Sequence, residues 1–223
     1  MSEIAFAPRE TLGSSIYHRL RNDIIMGHLA PGQRLKLDQL REDYNAGANT
    51  LREALARLAA NGFVIAESQR GFEVTPISAE GLRDIANLRL LLEEHALMRS
   101  FARGDEAWQS QVSEAYERLH TFEEQLEKGE LHNLNAWRQS DWMFHQALIA
   151  ACDSEVLRQS HAEAFDKYLR YQMIALAFRP QASGPEHYAL KEAALSRDAP
   201  EAIRLLRHHI SQGVAQALKL GRL

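Results

Sequence analysis

Residues 47–64, GANTLREALARLAANGFV, carry the reading of the fold. Leu51, Ala54, Leu55 and Leu58 recur at helical spacing on one stripe, Asn61-Gly62 ends the run, and a β-type segment follows. Asn49, Thr50 and Arg52 stand at the start of this helix, off the apolar stripe, where they cannot help build a core. A helix N-terminus presents free backbone N–H groups and favours a phosphate. Asn, Thr and Arg side chains placed there are suited to meet base edges or backbone.

Upstream, residues 11–27, TLGSSIYHRLRNDIIMG, set Ile16, Leu20, Ile24 and Ile25 on one helical face and stop at Gly27. Pro31-Gly32 mark a turn. KLDQLREDYNAG, 36–47, then predicts a short helix with Leu37, Leu40 and Tyr44 inward. Downstream, FVIAES and GFEVTPI alternate as two strands joined by SQRG, with Gly71 where positive φ costs least. Three helices and a hairpin over residues 10–76 predict a winged helix-turn-helix, whose second paired helix lies in the major groove. Asn49 would pair with adenine, Arg52 with guanine O6/N7, and Thr50 with phosphate or a thymine methyl. Arg34, Lys36 and the wing residues Gln69, Arg70 and Gly71 would flank them on backbone or minor groove. The alternative is an exposed helix start with ordinary polar residues.

From Ser78 onward amphipathic helices are expected at 79–103, 106–128, 131–151, 154–178, 184–196 and 199–219, forming an all-α antiparallel bundle over residues 78–221. Ser183…Glu186 and Asp198…Glu201 both match the capping box and predict two of the helix starts. The fold class is mainly α.

The 223 residues, 45% hydrophobic and 25% charged, exclude a disordered chain. No run approaches the ~20 apolar residues of a membrane helix, so no membrane partner and a cytoplasmic location are expected. Cys152 is the single cysteine, which rules out an internal disulfide and predicts a packing role. A formal net charge of -4 argues against nonspecific wrapping of nucleic acid, but not against one locally basic face.

Asp141 and His145 lie four residues apart in SDWMFHQALIAAC, one turn apart on one helix face. His187 and either His208 or His209 lie on later helices. One carboxylate and three imidazoles would suit Zn²⁺, Ni²⁺ or a similar ion, with a position left for a ligand oxygen. Equally, these histidines can be satisfied core or solvated residues. Arg89 and Glu93, also one turn apart, allow either a carboxylate-binding arginine or a surface or interdomain ion pair. Arg170, Tyr171 and Arg179 are further pocket candidates.

Residues 14–78, through YHRLRNDIIMGHLAPGQRL, LREALARLAANGFV and RGFEVTPIS, resemble the GntR family of bacterial transcription regulators. The resemblance implies that Arg52 contacts DNA and that Gly71 lies at the wing tip. It departs from the commoner pattern at Ala48, where many members carry another arginine. Residues 80–220 are similar to the FCD domain of the FadR-type subfamily, and the chain also resembles CsiR-type repressors. That similarity implies a metal site at Asp141, His145, His187 and His209, taking a divalent transition metal such as Zn, with Ni or Mn as alternatives. It also identifies Arg89-x3-Glu93 as a recurrent pair. The expectation is a ligand-responsive repressor, homodimeric on double-stranded operator DNA, sensing a small organic acid through its carboxylate. A metalloenzyme with an accessory winged helix, and an adaptor bundle that uses the winged helix to bind protein, are the alternatives.

Overall fold

A computed structural model describes residues 12–67, 71–177 and 179–221. They divide between Pro76 and Ile77 into two compact units.

In the first unit, α1 (Leu12–Ile25), β1 (Arg34–Leu35), α2 (Leu37–Tyr44), α3 (Ala48–Ala60), β2 (Val64–Glu67) and β3 (Gly71–Val74) follow in order. The strands form an antiparallel sheet in the order β1-β3-β2, with Leu35 opposite Phe72 and Val64 opposite Val74. β1 had no signature in the sequence, because two residues are too few to show alternation. Ile16, Leu20 and Ile24 of α1 pack with Leu40 of α2, Leu51, Leu55 and Leu58 of α3, and Phe63 and Val74, all no more than 2% exposed. Each such side chain contributes ~1.5–3 kcal/mol by leaving water. Asn45 ends α2 in the left-handed conformation, φ 48°, which Asn tolerates better than most residues. Tyr44 donates its hydroxyl to Asp23 at 2.5 Å and accepts Arg19 at its carbonyl at 3.3 Å, so the end of α2 is tied to α1. The orientation of α3 is thereby fixed from both of its neighbours. Gln69 and Arg70 lie outside the described residues.

The second unit holds α4 (Ala79–Arg103), α5 (Glu106–Glu127), α6 (Leu134–Leu148), α7 (Glu155–Ala175), α8 (Pro180–Leu195) and α9 (Ala199–Lys219). α4 packs on α7 and α9, α5 on α6 and α8, and α8 on α9. Single 3-10 turns at Leu131–Asn133 and Ala150–Cys152 bracket α6, where one longer helix was expected. Ser78, Asp105, Ser154 and Asp198 each accept a first-turn N–H at the start of α4, α5, α7 and α9. The expected box at Asp198 is half formed: Asp198 caps Glu201 N at 3.0 Å, but the Glu201 carboxylate turns outward to Arg204.

The expected box at Ser183 does not form. α8 begins at Pro180, the helix position where a missing N–H costs nothing, so Ser183 already lies inside the helix. Its hydroxyl sits 3.2 Å from both the Arg179 carbonyl and Glu123 Oε1.

Arg89, Glu93, Glu123, Asp141, His145, His161, His187 and His209 are all buried in this bundle. Buried charge is costly unless each group is paired. Their concentration in one place makes this the candidate site.

Candidate functional site

α6 supplies Asp141 and His145, α8 supplies His187 and α9 supplies His209. Nitrogens of the three imidazoles come within 4.8 Å of one another. Each ring is held at Nδ1 by its own carboxylate. His145 Nδ1–H donates to Glu93 Oε1 at 2.5 Å, His187 Nδ1–H to Glu123 Oε1 at 2.8 Å, and His209 Nδ1–H to Glu186 Oε2 at 2.7 Å. With Nδ1 carrying the proton, each Nε2 presents a lone pair, which is the tautomer that ligates metals. His187 Nε2 is buried without a hydrogen-bond partner. Asp141 Oδ1 lies 3.4 Å from it and 3.9 Å from His145 Nε2, at the edge of the histidine cluster.

The charge balance points the same way. Among the described residues, Glu93, Glu123, Asp141 and Glu186 face two guanidinium groups, Arg89 and Arg179, so neutral imidazoles leave two negative charges uncompensated. Burial raises the Asp141 carboxyl above its ordinary range. His187 is raised as well: burial opposes its charge, but Glu123 and Asp141 outweigh it. His145 and His209 are pushed down to about 3, chiefly by burial, and stay neutral. Burial works against the Glu93 anion, yet Arg89, His145 and His161 hold its carboxyl well below the usual range. A divalent cation would balance both charges and meet the orphaned nitrogen, so the donor set fits one.

Beside the histidines is a cavity of about 40 Å³ lined in part by Arg89, Asp141, Tyr168, Gln172, His187 and His209. Arg89 and Glu93 do pair, 2.9 Å from Nε to Oε2, but at 1% and 0% exposure the pair is internal, not at the surface. The Arg89 guanidinium carbon lies 4.0 Å from the Phe165 ring centre and 4.8 Å from that of Tyr168. Its Nη2 is 3.2 and 3.3 Å from the two nitrogens of His145, so it stands over the ring rather than in its plane. Arg89 thus offers a desolvated positive charge at the cavity wall, suited to a carboxylate.

Of the other pocket candidates, Arg179 lines the cavity. It grips Glu186 with two bonds of 2.9 and 2.7 Å and reaches the His209 carbonyl at 3.1 Å. Arg170 and Tyr171 are not among the cavity lining; α7 turns Tyr168, Leu169 and Gln172 to it. The sequence reading missed Glu123, Glu186 and His161. Glu186 had been assigned to a cap, Glu123 sits in an acidic run, and neither carries a spacing signal.

In the first unit, Asn49 and Arg52 are exposed on the first turns of α3, with Arg52 Nη1 3.5 Å from Asn49 Oδ1. Thr50 is half-buried and turns its methyl toward Gly13 of α1. α3 has no side-chain cap and no acidic residue in its first turn, so its N–H groups and positive dipole end stay open to an anion. Arg34 and Lys36 are exposed on β1 and just before α2, and Gly71 has φ 92°, which only glycine adopts readily.

Residues 12–74 match the bacterial regulatory proteins of the gntR family, and residues 84–212 match the FCD domain. The uncharacterized HTH-type transcriptional regulator BphR of Paraburkholderia xenovorans is 37% identical over 100% of this chain and 91% of its own length. The HTH-type transcriptional repressor GlaR of Escherichia coli is 32% identical over 87% of this chain and 90% of its own. Among solved structures, E. coli McbR/YncC has a TM-score of 0.79 at 19% identity, covering 94% of this chain and 98% of that one, a likeness of fold. These relatives are regulators, which removes the metalloenzyme alternative. No helix among the described residues is long and apolar enough to cross a membrane.

Proposed function

Because the chain belongs to the GntR family of bacterial regulatory proteins and carries the FCD domain, and is therefore a DNA-binding transcription regulator, we propose that it is a metal-dependent repressor of a catabolic operon, released from DNA by a small organic acid. The observation that carries this reading is the set of three buried imidazoles, each fixed at Nδ1 by a carboxylate, beside a cavity walled by Arg89. His145, His187 and His209 would hold the ion through Nε2, with Asp141 as the fourth ligand. A bound divalent ion, Zn²⁺ or else Ni²⁺ or Mn²⁺, would supply a Lewis acid for an effector carboxylate. Arg89 would bind a second oxygen and neutralise it.

The DNA reading assigns base contacts to Asn49 and Arg52, backbone contacts to Thr50, Arg34 and Lys36, and a wing contact to Arg70 and Gly71. A homodimer would read a two-fold operator, as point-group symmetry favours. Repression is supported by the name of the E. coli relative GlaR. An effector shifts the DNA equilibrium only if it binds the two conformations unequally. Operator and effector must then weaken each other by the same factor, ~5–150-fold for ordinary coupling.

The test is a melting-temperature screen of zinc-loaded and chelator-treated protein against small mono- and dicarboxylic acids, followed by operator titration with each hit. Stabilisation by acids in the loaded protein alone, with weaker operator binding, is expected. Equal stabilisation of the metal-free protein would show that the acid does not use the metal.

A further inference from the structure

We propose that His161, a fourth buried histidine, is a positioning residue of this site, acting through Glu93 to fix His145 and Arg89 as one unit; the inference rests on the metal reading above. Glu93 differs from the other two carboxylates that hold the histidines. Glu123 and Glu186 each hydrogen-bond one imidazole together with a serine or an arginine. Glu93 binds two imidazoles and a guanidinium at once. Its Oε1 accepts His145 Nδ1–H at 2.5 Å, and its Oε2 accepts Arg89 Nε–H at 2.9 Å and His161 Nε2–H at 3.0 Å. Glu93, His145 and His161 are all 0% exposed, so no water competes for these bonds.

The chain of donors continues outward. His161 Nδ1 lies 2.9 Å from Gln146 Nε2, an amide donor on α6 one residue after His145. With Gln146 donating to Nδ1, His161 must carry its proton on Nε2 and give it to Glu93. His145 then carries its proton on Nδ1 and leaves Nε2 bare. The two histidines are locked in opposite tautomers by one carboxylate between them, and the outcome at His145 is the metal-ligating one. The Phe165 ring packs against His145, His161 and the Arg89 guanidinium, at 5.2, 5.7 and 4.0 Å respectively. Glu93 therefore has no alternative arrangement in which it holds Arg89 but releases His145. Without the donor from α7, its Oε2 depends on Arg89 alone and the carboxylate is free to rotate about its own torsion. Both the metal ligand and the cavity's positive charge move with it.

The experiment measures cobalt(II) affinity, by competition with a chelator, and the visible ligand-field spectrum of the cobalt-loaded full-length protein. It compares wild type with His161→Gln, His161→Asn and His161→Leu. The Gln amide can still reach Glu93, whereas Asn is too short and Leu has no donor. His161→Gln should bind cobalt within a few-fold of wild type with the same spectrum. The Asn and Leu variants should lose ~10–100-fold in affinity, as outer-shell partners of metal ligands do, with a shifted spectrum. Wild-type affinity and spectrum in a folded Leu or Asn variant would overturn the proposal, as would a His161→Gln protein as impaired as His161→Leu. If neither donor-less variant folds, Gln146→Leu reads the same chain from its outer end: a smaller loss of the same sign is expected, and no loss overturns the proposal. If wild type itself takes up no cobalt, the metal reading falls, and this inference with it.

Discussion

Gly213→Ala sets two opposed effects against each other at the cavity wall. Gly213 lies within α9, where alanine is favoured over glycine by ~1 kcal/mol. A methyl at this position would overlap the Tyr168 hydroxyl and come within 3.6 Å of Gln172 Nε2. Tyr168 has little freedom to give way. Its ring faces the Arg89 guanidinium at 4.8 Å, its hydroxyl lies 3.5 Å from the Ile210 carbonyl, and it is 4% exposed. Overfilling a packed interior costs ~1–3 kcal/mol, so the overlap outweighs the helix gain and the variant should lose ~1 kcal/mol net. For a chain of this length that is roughly 2–4 °C in melting temperature. The same methyl narrows the cavity, so thermal stabilisation by organic acids should fall while zinc content stays at the wild-type level, since no ligand is removed. Melting curves with and without acids read both effects. A variant more stable than wild type by ~1 kcal/mol would refute the close approach of α7 and α9 at Tyr168, and with it the cavity described here.

Three further outcomes are expected. Arg52→Ala should remain folded, because the side chain is exposed, and should lose ~1–3 kcal/mol of specific operator affinity in a fluorescence anisotropy titration; unchanged affinity would remove α3 from the groove. Asp198→Ala removes the cap on Glu201 N and should cost ~1 kcal/mol in urea unfolding, whereas Ser183→Ala deletes no cap. Glu186 is held down to about 2, because hydrogen bonds from His209 and Arg179 outweigh burial. A depressed carboxylate stabilises the fold above its unfolded pKa, so this contribution, no more than ~3 kcal/mol, is present above pH ~4.5 and is lost as pH falls toward 2. In acid titrations of metal-free protein, Glu186→Gln should lack that part of the slope; an identical slope in both proteins would contradict the pairing.

The parts of the fold that the sequence announces are those whose signal is periodic. α1, α3 and α5 repeat apolar residues over several turns, and the helix-turn-helix follows from the first two. β1 pairs only Arg34 and Leu35, too short to alternate, and α8 was misplaced because Ser183-Gly-Pro-Glu186 copies a capping signal that Pro180 pre-empts. At the site, Asp141 and His145 were legible as neighbours on one turn. His187 and His209 were open to suggestion as partners on later helices, but spacing across helices carries no geometry, and only family resemblance chose His209 over His208. Glu123 and Glu186 were not legible: a surface glutamate and one that orients a metal ligand have the same local sequence. The Arg89–Glu93 spacing allows a carboxylate-binding arginine or an ion pair, and the burial of both side chains beside the rings of Phe165 and Tyr168 shows the pair to be internal.

The central claim is that His145, His187 and His209 hold one divalent metal. The most direct measurement is elemental analysis of protein purified without chelator, comparing wild type with His187→Ala and, as a control, His208→Ala. His187 has the buried Nε2 without a hydrogen-bond partner, whereas His208 is exposed and lies 3.7 Å from Glu186. The account predicts about one zinc, nickel or manganese per chain in wild type and in His208→Ala, and little in His187→Ala. Full metal content in His187→Ala, or none in wild type, would contradict it.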